Sequence, residues 1–166
     1  MEATARKESQ EKPKSYKFSL KTPYLEKGRI THLLAETENL WIHTKINAEG
    51  GENAIHAHLD EDHSFIVLEG EMTVFDEKGN ELVVKQYEGV MIPRGAYYRY
   101  LNTGKGNLMI IRVGGGAQKQ GGEEMRIRPD GKPLPSLSEE NHHVEPVVIP
   151  GKFFGESAGQ ERNLIG

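Results

Sequence analysis

The sequence contains no cysteine, so neither a disulfide nor a thiolate-bound metal belongs to this protein, and any tight metal site must use His, carboxylate or Tyr. It also lacks an apolar run of the roughly 18 residues that a membrane-crossing helix needs. The first stretch, MEATARKESQEKPKSYK, is charged where a secretory signal would be apolar, so the expected location is cytoplasmic, with no membrane partner. Charge of one sign is missing too. The formal net charge is −4, with bases and acids interleaved, which argues against a nucleic-acid partner. The most basic stretch, Arg6 to Lys27, is interrupted by Glu8, Glu11 and Glu26 and reads as a solvated arm. No stretch shows a convincing helical period.

What is present is a chain of 166 residues with 19 glycines, 8 prolines and 36% hydrophobic residues. That length suits one domain, and the glycines and prolines point to many tight turns. Residues 1–15 lack apolar periodicity and are expected to form a mobile N-terminal arm, followed by a short edge strand at YKFSL, residues 16–20. LWIHTKIN, residues 40–47, has a period of two: Leu40, Ile42, Thr44 and Ile46 alternate with Trp41, His43, Lys45 and Asn47. Further strands are expected at 30–34, 54–59, within 63–76, at 82–87, at 89–93, before Asn102 and at 107–114. Short, evenly spaced strands with turn signals between them predict an all-β antiparallel sandwich or small barrel. The glycine-rich stretch 114–122 reads as a linker without the pattern of a phosphate loop. The proline-rich segment beyond it reads as an extended tail anchored by Val147 to Ile149 and Phe153–Phe154.

Of the seven histidines, His56, His58 and His63 fall within eight positions. Residues i and i+2 on a strand share a face, so His56 and His58 are expected to project together, with His63 returning beyond a short turn. His32 reads as structural and His142–His143 as a solvated pair in the tail.

Gly50, His56, His58, His63 and Gly70 follow the spacing GX5HXHX3-4EX6G, and the stretch resembles the first motif of the cupin superfamily. His63 stands where that family has glutamate. Asp62 fits the shorter spacing but leaves seven residues before Gly70, so His63 is preferred. YEGVMIPRGAYYRYLN resembles the second motif, GX5PXGX2HX3N, with Pro93, Gly95 and Asn102 in register. Tyr98 then occupies the place of the last metal-binding histidine, and Tyr87 that of the opening glycine. The resemblance covers residues 50 to 102. It implies a double-stranded β-helix, a jelly-roll-like barrel over residues 16–113, with the N-terminal arm before it and the linker and tail, 114–166, after it. It also implies a homodimer with one divalent metal ion per chain inside the barrel.

Three neutral imidazoles would leave a divalent ion its full charge, making it a stronger Lewis acid than the family's usual ligand set does. Fe(II) is the favoured ion, with Zn, Ni, Mn or Cu as alternatives. Tyr98 is either a phenolate ligand or a phenol that hydrogen-bonds a bound substrate and moves a proton, and a degenerate, metal-free barrel is the third alternative. By alternation, Phe65 and Tyr100 face inward with His63 and Tyr98. Trp41, His43 and Lys45 are candidates for the same cavity, with Lys45 or Arg112 as the anchor of a carboxylate; Arg94 and Arg99 are weaker candidates. Two functions follow as expectations: a mononuclear non-haem Fe(II) dioxygenase acting on a small organic substrate, with a non-redox lyase, isomerase or hydrolase beside it, or a non-catalytic protein that binds a small molecule.

Overall fold

A computed structural model of the chain describes residues 14–116, 126–135 and 138–155. It contains twelve strands among these residues: β1 (Thr22–Lys27), β2 (Arg29–Glu36), β3 (Leu40–Asn47), β4 (Gly51–His58), β5 (Asp62–Glu69), β6 (Glu71–Asp76), β7 (Glu81–Lys85), β8 (Gly89–Ile92), β9 (Tyr98–Asn102), β10 (Leu108–Gly115), β11 (Arg126–Ile127) and β12 (Val147–Phe154). A single 3-10 turn, Glu139–Asn141, precedes β12. The glycine-rich stretch from residue 117 and all but the last two residues of the expected N-terminal arm lie outside the described residues.

Two five-stranded antiparallel sheets, ordered β2-β3-β10-β5-β8 and β11-β4-β9-β6-β7, make a jelly-roll, double-stranded β-helix fold. The core draws on both: Phe65, Val67, Leu108, Ile110 and Ile92 from the first sheet meet Met72, Val74, Val84, Tyr98 and Tyr100 from the second. This is the usual solution for two half-apolar sheets, which bury their inner faces against each other.

The strand β3 departs from a simple in-out alternation. Its inward residues, Trp41, Lys45 and Asn47, are buried, but so are Thr44 and Ile46 on the other face. The cause is a third layer. β1 and β12 pair into a separate ribbon, and Leu25 from β1 packs with Ile46 and Met109, flanked by Tyr24 and Phe154. Residues 16–20, expected as an edge strand, form none. Tyr16 is held by its side chain instead: its hydroxyl donates to the Glu36 carbonyl at 2.6 Å and accepts from the Glu36 amide at 2.8 Å. A side-chain anchor of this kind satisfies backbone groups at the end of β2 without a ladder.

The turn residues position the strands that matter below. Gly70 joins β5 to β6 with φ of 86°, where a Cβ would come within 2.8 Å of the Asn107 carbonyl oxygen. Before β9, the Gly95 amide donates to the His58 carbonyl at 2.7 Å, tying the start of one site strand to the end of another. The Asn102 side-chain amide donates to the carbonyls of Asn47 and Gly106, at 3.0 and 2.8 Å, and locks the far end of β9.

Tyr87 is in the left-handed region, with φ of 69°, although it is not glycine. Its side chain is 82% exposed, so the ring contributes little packing to offset the backbone cost of about 1 kcal/mol or more. Tyr87→Gly is therefore expected to raise stability by about 1 kcal/mol, or roughly 2–4 °C in Tm for a chain of this size. Thermal unfolding followed by circular dichroism measures it, and an unchanged or lower Tm would contradict the strain.

Candidate functional site

The strand β4 brings His56 and His58 inward, β5 brings His63, and β9 places Tyr98 directly across from His56. All four side chains are buried. The His56 and Tyr98 rings have centroids 4.6 Å apart, His58 and His63 are at 5.0 Å, and His63 and Tyr98 at 5.4 Å. Phe65 closes the base of the cluster, 5.2 Å from both His63 and Tyr100. Asp62, the other candidate for the His63 role, is half-exposed and bonded by Arg94 through backbone and guanidinium alike, at 2.9 and 2.6 Å.

Two buried carboxylates organise this cluster, and sequence reasoning missed both. Glu52 directs Oε1 to Lys45 and Arg126, while Oε2 accepts from the Tyr98 hydroxyl at 2.9 Å. Glu61 directs Oε1 to Arg112 and lies 3.1 Å from Nδ1 of both His58 and His63. For Glu52 the signal was parity, since it precedes His56 by four, an even spacing that puts strand residues on one face; Glu61 lies in the turn between β4 and β5, where no period applies.

Burial alone would raise the Glu52 pKa, but the charges of Lys45 and Arg126 outweigh it and hold the carboxyl well below the usual carboxylate range. Burial, reinforced by the Glu52 charge, pushes the Tyr98 phenol well above its ordinary value. Tyr98 thus stands in this structure as a neutral phenol donating to a carboxylate.

His58, Glu61 and His63 offer ligand atoms that all lie within 4.8 Å of one another and could hold a metal ion, with His56 outside that compact group. His56 nevertheless has a donor suited to an ion. Its Nδ1 contacts the Ala54 carbonyl at 2.9 Å, and since a carbonyl only accepts, Nδ1 carries a proton, which in the neutral ring leaves the lone pair on Nε2. That Nε2 is buried and makes no hydrogen bond, with Glu52 Oε2 3.3 Å away. A buried acceptor facing a carboxylate is costly unless a cation lies nearby, so the residues present fit a divalent ion.

Beside the cluster is a cavity of about 340 Å³, lined in part by Lys45, Arg112, Arg29, Arg126, Glu52 and Tyr100. Lys45 and Arg112 point inward rather than to solvent, and each is paired with a carboxylate. Tyr100 lines the cavity and Phe65 lies against the histidines, whereas Trp41 and His43 are not in the cavity lining. Trp41 packs against Gly114, where a Cβ would meet the indole nitrogen at 2.3 Å. His143, from the tail, lines the cavity and has its Nε2 3.2 Å from Glu145. His32 is exposed on β2.

A protein family described as "Cupin domain" matches residues 44–114, which span both histidine strands and Tyr98. This segment is a cupin domain. Solved structures with the same fold include an uncharacterised double-stranded β-helix protein from Klebsiella pneumoniae (18% identity, 56% of this chain and 81% of that one, TM-score 0.50). KdgF from a Halomonas species matches at 16% identity over 56% of this chain and 82% of its own, with TM-score 0.50. The cupin domain of Schizosaccharomyces pombe Cnp3 matches at 20% identity over 55% and 67%, again with TM-score 0.50. At these identities the likeness is one of fold. No protein of curated function matches the sequence. Among the described residues, no helix of this chain is long and apolar enough to cross a membrane.

The cupin interior rests on opposite charges that satisfy each other. Removing Glu52 leaves Lys45 and Arg126 buried without their shared carboxylate, and breaking such a pair costs about 3–5 kcal/mol. Glu52→Ala is expected to lower urea-unfolding stability by about 3 kcal/mol or more. A loss below about 1 kcal/mol would mean that water replaces the carboxylate.

Proposed function

We propose that this cupin is a metal-dependent enzyme acting on a small anionic organic molecule, with His56, His58 and His63 holding one divalent ion and Tyr98 beside the reacting atoms. The observation that carries it is the buried, unbonded Nε2 of His56, with His58, His63 and the Tyr98 hydroxyl gathered around the same buried space. Such an ion, when bound, supplies Lewis acidity and a template for substrate.

The remaining work falls to the chain. Four cationic side chains and one carboxylate are among the residues lining the adjacent cavity, which suits an anionic ligand of modest size, since about 300–1,000 Å³ is the usual span of ligand pockets. Lys45, Arg112 and Arg126, tied to Glu52 and Glu61, set the local potential, and Arg29, which also lines the cavity, is the anchor for a carboxylate. Phe65 and Tyr100 keep water from the metal side of the cavity. Tyr98 holds a proton at its hydroxyl for exchange with the substrate, with His63 Nε2 3.1 Å from the same oxygen, while Glu52, anionic between Lys45 and Arg126, orients the phenol.

Mononuclear Fe(II) dioxygenase chemistry is the favoured form of this function, supported by a donor set of three neutral imidazoles. The neutral Tyr98 phenol, oriented by Glu52, favours a second form, a non-redox lyase or isomerase, because a positioned proton donor serves chemistry that needs no change of oxidation state. The same reading takes the protein as a cytoplasmic homodimer.

Protein purified without added metal or a histidine tag is expected to carry about one ion per chain, and His56→Ala to lose most of it, by elemental analysis. Iron together with substrate-dependent oxygen uptake supports the oxygenase. Tightly held zinc with turnover but no oxygen uptake supports the lyase or isomerase, and a metal-free protein contradicts both. Tyr98→Phe is expected to keep the ion while kcat falls about 10²–10⁴-fold, the usual worth of a positioned acid or base. Unchanged kcat would remove Tyr98 from the chemistry.

A further inference from the structure

The usual cupin glutamate is missing from position 63, yet a glutamate is present two residues earlier, and its placement has a specific consequence. Glu61 lies in the turn between β4 and β5, with its side chain buried. One oxygen, Oε1, is 3.1 Å from His58 Nδ1 and 3.1 Å from His63 Nδ1, and the Arg112 guanidinium is ion-paired to it. A carboxylate only accepts. Both imidazoles therefore present Nδ1–H to Glu61, and in the neutral ring the lone pair sits on Nε2. His56 reaches the same state through the Ala54 carbonyl.

From this arrangement we infer that Glu61 is a positioning residue: a single carboxylate behind two ligands, which fixes the tautomer and ring orientation of His58 and His63 together. The inference rests on the proposed role of those histidines as metal ligands. Its competitor is Glu61 as a ligand itself, with the ion on the Nδ1 side of the two rings, where the group is most compact. Arg112 decides between them. Its guanidinium shares Oε1 and is fully buried, so an ion on that side would face a permanent positive charge at close range and low dielectric. On the Nε2 side, His63 faces the Tyr98 oxygen at 3.1 Å, and because the single phenol proton is given to Glu52, two lone pairs meet there. The carboxylate has moved from the coordination sphere to the layer behind it, and the ion keeps the full charge of a three-imidazole site.

Partners that orient ligating histidines are worth about 10–100-fold in metal affinity. Zinc titration of the full chain against a competing chelator is the first test. Glu61→Gln and Glu61→Ala are expected to bind zinc about 10–100-fold more weakly than wild type at unchanged stoichiometry. Affinity within twofold of wild type would overturn the inference. Cobalt(II) absorption separates the two roles: band positions retained in Glu61→Gln support a positioning residue, and bands of a changed ligand set overturn it in favour of a direct ligand. Either substitution strands Arg112, so the double variant Glu61→Gln/Arg112→Met, which removes that buried charge, serves if the single variants fail to fold, with the same weakening expected. Nitrogen-15 spectra of the histidine rings in metal-free protein give an independent readout. Nδ1–H tautomers at His58 and His63 support the assignment, and Nε2–H tautomers overturn it. Wild-type protein that takes up no zinc would sink the metal reading, while the tautomers would still decide what Glu61 does.

Discussion

Two buried carboxylates, each neutralised by buried cations, are the constraint on which the interior of this barrel depends. Glu52 is shared by Lys45 and Arg126, and Glu61 is held by Arg112. Isolated charges of this kind would cost several kcal/mol each on leaving water. Paired, they become fixed points from which the neutral groups take their orientation: the Tyr98 hydroxyl from Glu52, and the His58 and His63 rings from Glu61. The strands supply the scaffold, but the ion pairs determine which way the functional atoms face.

This division of labour explains how one short stretch of chain serves two ends. From Glu52 to His63, the chain supplies two anchoring carboxylates and three imidazoles to the same interior. Lys45 comes from the opposite sheet, on β3, so its pair with Glu52 on β4 joins the two sheets, while Arg112 on β10 reaches Glu61 in the turn before β5. Polar pairs across a core add little net stability compared with apolar packing, but they tolerate few alternative arrangements. The aromatic floor of Phe65, Tyr98 and Tyr100 provides the apolar burial that such a polar interior lacks.

Much of the architecture was legible from local pattern. The β3 bounds, 40–47, coincide with the expected strand, and the strand positions from residue 54 to 114 follow the turn signals closely. Other features escaped for physical reasons. The region 16–20 has strand composition but is held by the Tyr16 side chain, and no local pattern distinguishes the two. The ribbon of β1 and β12 pairs residues more than a hundred positions apart, a contact that periodicity does not encode. It is also why Ile46 is buried on a face that alternation alone leaves open to solvent.

The sequence by itself determined which residues share a face: the parity of His56 and His58, and the spacing to Gly50 and Gly70, follow from the two-residue period of a strand and need no partner. It equally determined that no thiolate takes part. Only the tertiary structure decided what lies opposite those residues. Arg112 is 51 residues from Glu61 and Arg126 is 74 from Glu52, so their pairing depends on strand order and register rather than on neighbours in the chain. Whether a buried lysine or arginine anchors a ligand or neutralises a carboxylate is a question of where the opposing charge sits in space. Local sequence carries no information about that distance.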